Sequence, residues 1–276
     1  MGSMIEALIL GIVQGLTEFL PISSSAHLRI TGALFFDGRD PGATFTAITQ
    51  LGTELAVVVY FFKDIVRIIK RWYQSLYGGV PRNDPDARMG WLIILGTIPI
   101  VLVGYFLQEY IRGVFRSLWL VAIVLIVFGV LLGLVDALAK RTKGLTELTY
   151  RDGLLYGLGQ TLALVPGVSR SGATITVGRA LGYERPAAAR FAFLLAVPAV
   201  FGSGLYELTK LDEVAPGGYG MTETVLATGV SFVVGLAVIA FLMKWISKHS
   251  FLPFVIYRIL LGAAIIVLLS LGIVQP

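Results

Sequence analysis

Long apolar runs separated by short polar segments are the main pattern along this chain. A helix needs roughly 20 apolar residues to cross the hydrocarbon core of a bilayer. Six runs reach that length. They predict membrane-spanning helices at about 43–62, 89–107, 117–139, 187–208, 221–243 and 251–274.

Four further apolar stretches are too short to span the membrane and form two pairs. They lie at about 4–20 and 24–36, and at about 153–165 and 172–182. Proline lacks a backbone donor and clashes with the preceding turn, so Pro21 and Pro166 should each separate two helices. Broken helices at membrane depth are tolerated only inside protein or beside a wet cavity. The pattern therefore predicts two re-entrant helical hairpins.

The two hairpins look like one element used twice, because an offset of 146 residues aligns them without a gap. The identical pairs are Gly11/Gly157, Gln14/Gln160, Leu16/Leu162, Ser23/Ser169, Ser25/Ser171, Gly32/Gly178 and Phe45/Phe191. Each half then holds one hairpin and three spans, and an odd number of spans gives the halves opposite orientations. We predict an all-α polytopic protein with one membrane domain, 1–276, built from inverted repeats at about 4–139 and 150–274.

Composition excludes an ordinary soluble domain. The 276 residues are 56% hydrophobic and 14% charged, whereas soluble chains carry about 25% charged residues. The chain has no cysteine, so a disulfide framework and a thiolate nucleophile are excluded. The net charge of +5 is better explained by basic cytoplasmic loops than by a nucleic-acid partner.

The basic residues are unevenly divided between the two faces that this topology creates. One face would carry Lys63, Arg67, Lys70, Arg71, Arg82, Arg88, Lys140, Arg141, Lys143, Arg151, Arg185, Lys244 and Lys248, and the other Arg39, Arg112, Arg116 and Lys210. The face with more Lys and Arg is the cytoplasmic one. We therefore expect a multi-pass membrane protein with both termini outside and the first hairpin entering from the outer face.

The first hairpin carries polar and ionisable side chains that a membrane makes costly. They are Gln14, Glu18, Ser23, Ser24, Ser25 and His27. Gln14 and Glu18 share a helix face because they are four residues apart. Helix capping by Ser23 would explain a serine, but not a Glu, a Gln and a His within fourteen residues. This group predicts a functional site.

The second hairpin places an arginine and three hydroxyls at the start of a half-helix. The residues are Ser169, Arg170, Ser171, Gly172 and Thr174. Unpaired N–H groups and the helix dipole favour an anion there, and an arginine offers a fork of donors suited to phosphate oxygens. The alternative is that Arg170 forms a structural bridge to Glu18.

Together, the two hairpins suit attack on a phosphoryl group, which requires positioning, charge neutralisation and a nucleophile. A serine hydroxyl or a histidine nitrogen could attack, and the carboxylate could act as base or metal ligand.

A lipid-phosphate transporter or flippase is the alternative function, because inverted repeats with half-helices are also typical of transporters. Glu54 and Arg258 lie within predicted spans, where they could pair or each face the cavity.

The segments GLTEFLPISSSAH (Gly15 to His27) and PGVSRSGAT (Pro166 to Thr174) resemble the two signature regions of the undecaprenyl-diphosphatase family. These are bacterial enzymes of the bacitracin-resistance type, and the resemblance covers essentially the whole chain. It implies a location in the bacterial inner (plasma) membrane and hydrolysis of undecaprenyl diphosphate to undecaprenyl phosphate and inorganic phosphate. That reaction recycles the lipid carrier for peptidoglycan synthesis and confers bacitracin resistance.

The resemblance also implies site residues and a divalent cation, Mg²⁺ or Ca²⁺. The first motif is Glu or Gln, then any three residues, then Glu. It falls on Gln14 and Glu18, which become the candidate cation ligands. Because the chain has the Gln variant, these two positions offer one carboxylate. The other motif positions fall on Ser24, His27, Ser169, Arg170 and Thr174.

We expect Glu18, Ser24, His27 and Arg170 to be catalytic. Ser24 or His27 would attack phosphorus, or His27 would activate Ser24, or water would attack instead. The expected substrate contacts are Gln14, Ser23, Ser25, Ser169, Ser171, Gly172 and Thr174. Membrane lipids are the other expected partners, and the sequence leaves the oligomeric state open.

Overall fold

The computed structural model describes residues 3–36, 38–81, 83–112, 115, 117–140, 142–210 and 218–275. Arg82, Arg116 and Arg141 of the charge count lie outside these residues, as does the side chain of Arg112. The described chain folds into helices α1 (Met4–Thr17), α2 (Ser24–Phe35), α3 (Gly42–Tyr60), α4 (Phe62–Ser75), α5 (Pro85–Arg112), α6 (Leu118–Leu138), α7 (Tyr150–Thr161), α8 (Arg170–Ala180), α9 (Arg185–Leu208), α10 (Met221–Ile246) and α11 (Leu252–Ser270).

Six of the described helices are long and apolar enough to cross a membrane. They are α3, α5 over Pro85–Leu107, α6, α9, α10 and α11. Each begins and ends within a few residues of a predicted span. The prediction of an all-helical, multi-pass membrane protein is confirmed.

The four shorter helices that form the site are α1 with α2 and α7 with α8. Both pairs are interrupted at the predicted prolines, Pro21 and Pro166. The residues just before α2 and α8 are Ser23 and Ser169, with φ of 73° and 71°. In the part of the chain that the structure describes, they alone among non-glycine residues have positive φ. An L-residue is strained in that conformation, and the same strain occurs at both breaks.

Close helix crossings bring the elements around the two breaks together. Helix α10 packs on α1 and α3, while α5 packs on α7 and α9. A Cβ added at Gly11 in α1 would lie 2.6 Å from the carbonyl oxygen of Ala227 in α10. At Gly157 in α7 it would lie 2.4 Å from the carbonyl oxygen of Gly96 in α5. Small residues allow membrane helices to approach to this distance.

Candidate active site

The Glu18 carboxylate, which directly follows α1, joins the two helix breaks. Its Oε2 accepts hydrogen bonds from Gln14 Nε2 at 2.7 Å and from the Ser24 hydroxyl at 2.5 Å. Its Oε1 accepts from the guanidinium of Arg170 at the start of α8, and the two groups form an ion pair. Four of the predicted site residues therefore meet at one buried carboxylate.

The hydroxyl side chains at the start of α8 bond to nearby backbone groups. Ser169 caps the helix, because its hydroxyl oxygen accepts from the backbone N–H of Gly172 at 3.1 Å. The Ser171 hydroxyl faces the first break, 3.4 Å from the carbonyl oxygen of Glu18. The Thr174 hydroxyl donates to the carbonyl oxygen of Arg170 at 2.7 Å. The serine and threonine side chains thus shape the start of the helix, and Arg170 extends from it.

Ser23 connects the two breaks directly. Its hydroxyl oxygen accepts from the backbone N–H of Gly167 at 3.2 Å and lies 3.3 Å from the Ser25 hydroxyl oxygen. Ser23 precedes α2, as predicted for a cap, but no side-chain capping bond is present at this residue. Its role in this structure is contact between the hairpins.

His27 is held away from Ser24. Its Nδ1 lies 2.7 Å from the Ser23 carbonyl oxygen and its Nε2 lies 2.7 Å from the Tyr257 hydroxyl. The two rings stack with their centroids 5.5 Å apart. Because a carbonyl only accepts, Nδ1 carries the proton, and in the neutral ring Nε2 accepts from Tyr257. In the described chain no hydrogen bond joins His27 to Ser24, so this arrangement favours Glu18 as the group that activates Ser24.

Arg258, in α11, contacts both breaks and does not pair with Glu54. The side chain is fully buried. It donates to the carbonyl oxygens of Pro21 at 3.0 Å, of Gly167 at 2.8 Å, of Val168 at 3.1 Å and of Leu125 at 3.2 Å. Of the two alternatives from the sequence, pairing with Glu54 is absent from the described structure.

Glu54, in α3, lies on the same small cleft as the site. The cleft is lined by Glu18, Glu54, Arg170 and Ser171, together with apolar residues of α3 and α9. Glu54 is 1% exposed, and within the described residues its Oε1 has no hydrogen-bond partner.

This arrangement can activate a hydroxyl beside a bound anion. A carboxylate 2.5 Å from a serine hydroxyl oxygen is within reach to accept its proton. The N–H groups at the start of α8 and the Arg170 guanidinium provide donors for phosphate oxygens.

The oxygen atoms around Glu18 also fit a hard divalent cation. Such ions prefer carboxylate and amide oxygens. Gln14 is fully buried, and among the described groups its Oε1 has no partner, as is also true of Glu54 Oε1. The described residues contain no group of three or more His, Cys, Asp or Glu side chains that could hold a metal ion. A cation site beside Glu18 would therefore need the Gln14 amide oxygen as a further ligand.

Comparison with known proteins gives a consistent result over the whole chain. The family model of bacitracin resistance protein BacA matches residues 7–264. A protein of Micrococcus luteus named undecaprenyl-diphosphatase is 64% identical over 98% of this chain and 99% of its own length. A protein of the same name from Clavibacter michiganensis is 62% identical over 98% of both chains. One from Streptomyces avermitilis, named undecaprenyl-diphosphatase 2, is 54% identical over 99% of this chain and 97% of its own. The chain therefore belongs to the BacA family of bacitracin resistance proteins.

Proposed function

We propose that this protein is an integral membrane phosphatase that hydrolyses undecaprenyl diphosphate to undecaprenyl phosphate and inorganic phosphate. Membership of the BacA family and the names of relatives at 54–64% identity support this activity. The observation that carries the chemistry is the chain of contacts from Ser24 to Glu18 to Arg170. The reaction returns the lipid carrier to peptidoglycan synthesis and accounts for bacitracin resistance.

Arg170 and the first N–H groups of α8 would hold the diphosphate. In the resting arrangement Arg170 pairs with Glu18, and phosphate oxygens would replace the carboxylate as its partner. Arg170 would therefore bind Glu18 when the substrate is absent and phosphate oxygens when it is present. Gln14, hydrogen-bonded to Glu18, would keep the carboxylate in position when Arg170 turns to the substrate.

The proton of the nucleophile would pass to Glu18. If Ser24 attacks, its Oγ forms a bond to the terminal phosphorus and its proton moves to the carboxylate. The bond to the bridging oxygen breaks, its electron pair leaves with undecaprenyl phosphate, and the proton on Glu18 passes to that product or to solvent. Glu18, ionised again, takes a proton from water as the water oxygen bonds to phosphorus. The bond from phosphorus to Oγ then breaks, and Oγ takes the proton back from Glu18, which restores the serine and releases phosphate. Direct attack by water needs the same base, while attack by His27 would require Nε2 to leave Tyr257.

A divalent cation, Mg²⁺ or Ca²⁺, belongs to this proposal as the cofactor. Glu18 and Gln14 are its candidate ligands, and the unpartnered Gln14 Oε1 supports that assignment. When bound, the ion would neutralise charge on phosphate oxygens.

We propose further that the two broken pairs are re-entrant hairpins of an inverted repeat, about 4–139 and 150–274. Two observations support this plan. The equivalent serines Ser23 and Ser169 share the same unusual φ. The first helix of each half packs on a long helix of the other half, α1 on α10 and α7 on α5.

The distribution of Lys and Arg supports a site that opens toward the outer face, with both termini outside. The chain has no cysteine, so single-cysteine variants can be labelled without background. We expect Ser3→Cys to react with a membrane-impermeant maleimide in intact cells and Lys248→Cys to react only after lysis. The opposite pattern would reverse the orientation.

Phosphate release by the purified protein tests the activity. The substrates are farnesyl and undecaprenyl diphosphate in detergent, with Mg²⁺, Ca²⁺ or EDTA. We expect release that depends on a cation and is lost in folded Arg170→Ala protein. Failure of the wild type to release phosphate under any condition would favour the alternative function, lipid-phosphate transport, which a liposome flip assay would then measure.

A further inference from the structure

Glu54 is a buried acid whose surroundings do not account for it. The residue is 1% exposed, and its Oε1 has no hydrogen-bond partner in the described structure. Ion pairs of Glu54 are likewise absent from the described residues, because Arg258 bonds to carbonyl oxygens and Arg170 to Glu18. Burying a carboxylate without a partner is costly. A group that the protein itself does not supply would offset that cost.

An unpartnered oxygen also lies on α1, on a residue that contacts Glu18. The Gln14 side chain is fully buried, and its Oε1 has no partner among the described groups. The same amide donates from Nε2 to Glu18, and this nitrogen lies 3.5 Å from the hydroxyl oxygen of Thr53, the neighbour of Glu54 in α3. The two unpartnered oxygens, of Gln14 and Glu54, therefore belong to a residue bonded to Glu18 and to a residue that shares its cleft.

Glu54 and Glu18 line one small cleft, together with Arg170 and Ser171. Two carboxylates that share a site repel each other unless a cation or a proton lies between them. Arg170, which also lines the cleft, carries one positive charge against two carboxylates.

We propose that Glu54 is a ligand of the divalent cation and supplies the second carboxylate of its site. The inference rests on the proposed function and deepens it. Residue 14 is a glutamine, so α1 contributes an amide at this position and only one carboxylate, that of Glu18, comes from the motif. Glu54, from α3, lines the same cleft as Glu18 and supplies a second carboxylate. Glu18, Glu54 and Gln14 Oε1 together offer the oxygen ligands that Mg²⁺ or Ca²⁺ requires.

Binding of Mn²⁺ to the purified protein tests this assignment without turnover. The probe is Mn²⁺ alone, titrated into metal-free protein in detergent, with the free ion measured by its EPR signal. Loss of a residue that merely orients a ligand costs about 10–100-fold in metal affinity. We therefore expect Glu54→Gln to weaken Mn²⁺ binding by at least about tenfold. The double variant Gln14→Glu/Glu54→Gln moves the carboxylate to α1 and should recover most of the affinity.

Glu207→Gln is the matched control. Glu207 is another buried acid, on α9, and it accepts a hydrogen bond from Thr44 at 2.7 Å. It lies outside the cleft residues, so its variant should bind Mn²⁺ as the wild type does. Thermal unfolding of each variant would verify that the protein is folded.

Three results would overturn the assignment: Mn²⁺ binding by folded Glu54→Gln that equals the wild type, a double variant no better than Glu54→Gln, or a wild type that binds no Mn²⁺. Phosphate release by the same preparations separates the two proposals. A wild type that releases phosphate while Glu54→Gln binds Mn²⁺ normally refutes the role of Glu54 alone. A wild type that binds Mn²⁺ but releases no phosphate refutes the proposed activity alone.

Discussion

The structure gives the clearest expectation for the loss of stability on replacing Arg258. Its buried guanidinium donates four hydrogen bonds to backbone carbonyls, three of them at the two helix breaks. A hydrogen bond from a charged group contributes about 1.5–3 kcal/mol, so four give an upper bound of about 6–12 kcal/mol. Part of this is recovered as the loops relax. A buried acceptor left without a donor costs about 1–3 kcal/mol, so we expect Arg258→Met to lose at least about 3 kcal/mol of unfolding free energy.

Unfolding of the purified protein in detergent, followed by tryptophan fluorescence, measures this loss. Arg258→Lys should fall between Arg258→Met and the wild type, because an ammonium has three donors and lacks the planar fork. Arg67→Met is the control, since Arg67 is more than half exposed and its ion pairs are worth about 0–1 kcal/mol. The reasoning is refuted if Arg258→Met unfolds within about 0.5 kcal/mol of the wild type, the range of ordinary surface substitutions.

Three further substitutions test the packing around the site. Gly157→Ala should sharply reduce the yield of folded protein in size-exclusion chromatography, because its Cβ would lie 2.4 Å from a carbonyl oxygen of α5. Gly229→Ala is the control and should match the wild type, because no atom lies within 4 Å of the added Cβ. Tyr257→Phe should retain most phosphate release, because it loses one hydrogen bond to His27 but keeps the stacked ring; loss as large as in His27→Ala would contradict this. Ser169→Ala should lower unfolding free energy by about 1 kcal/mol, the value of a helix cap, and an unchanged denaturation midpoint would count against capping.

The six spanning helices could be predicted from the sequence because bilayer thickness fixes their length. The start of α4 could not. The chain turns at Phe61, between α3 and α4, with no proline or glycine to signal it. Phe61 is buried, and the guanidinium of Arg190 lies over its ring at 5.5 Å while also pairing with Asp64. Contacts with α9, distant in sequence, thus accompany this turn, and local patterns do not contain them.

The candidate site likewise combines contacts that could be predicted from the sequence with contacts that depend on tertiary packing. Gln14 and Glu18 are four residues apart, so their helical spacing was enough to predict that they share a face. The contact of Ser24 with Glu18 depends on how the chain turns at the break between α1 and α2. The partner of His27 is 230 residues away on α11. Arg258, on the same helix, is 237 residues from Pro21 and 91 residues from Gly167, and only tertiary packing brings them together. For Glu54, the signal available in the sequence was an acid within an apolar span. Its place on one cleft with Glu18 and Arg170 depends on tertiary packing.

The central claim is that Glu18 activates the nucleophile that attacks the lipid diphosphate. Its most direct test is kcat/KM for phosphate release by the wild type, Glu18→Gln and Ser24→Ala, each verified as folded by thermal unfolding. General-base catalysis contributes about 10²–10⁴-fold, so Glu18→Gln should lose at least about 100-fold. A comparable loss in Ser24→Ala would identify serine as the nucleophile, and a smaller one would indicate water. A folded Glu18→Gln protein with turnover near that of the wild type would contradict the account.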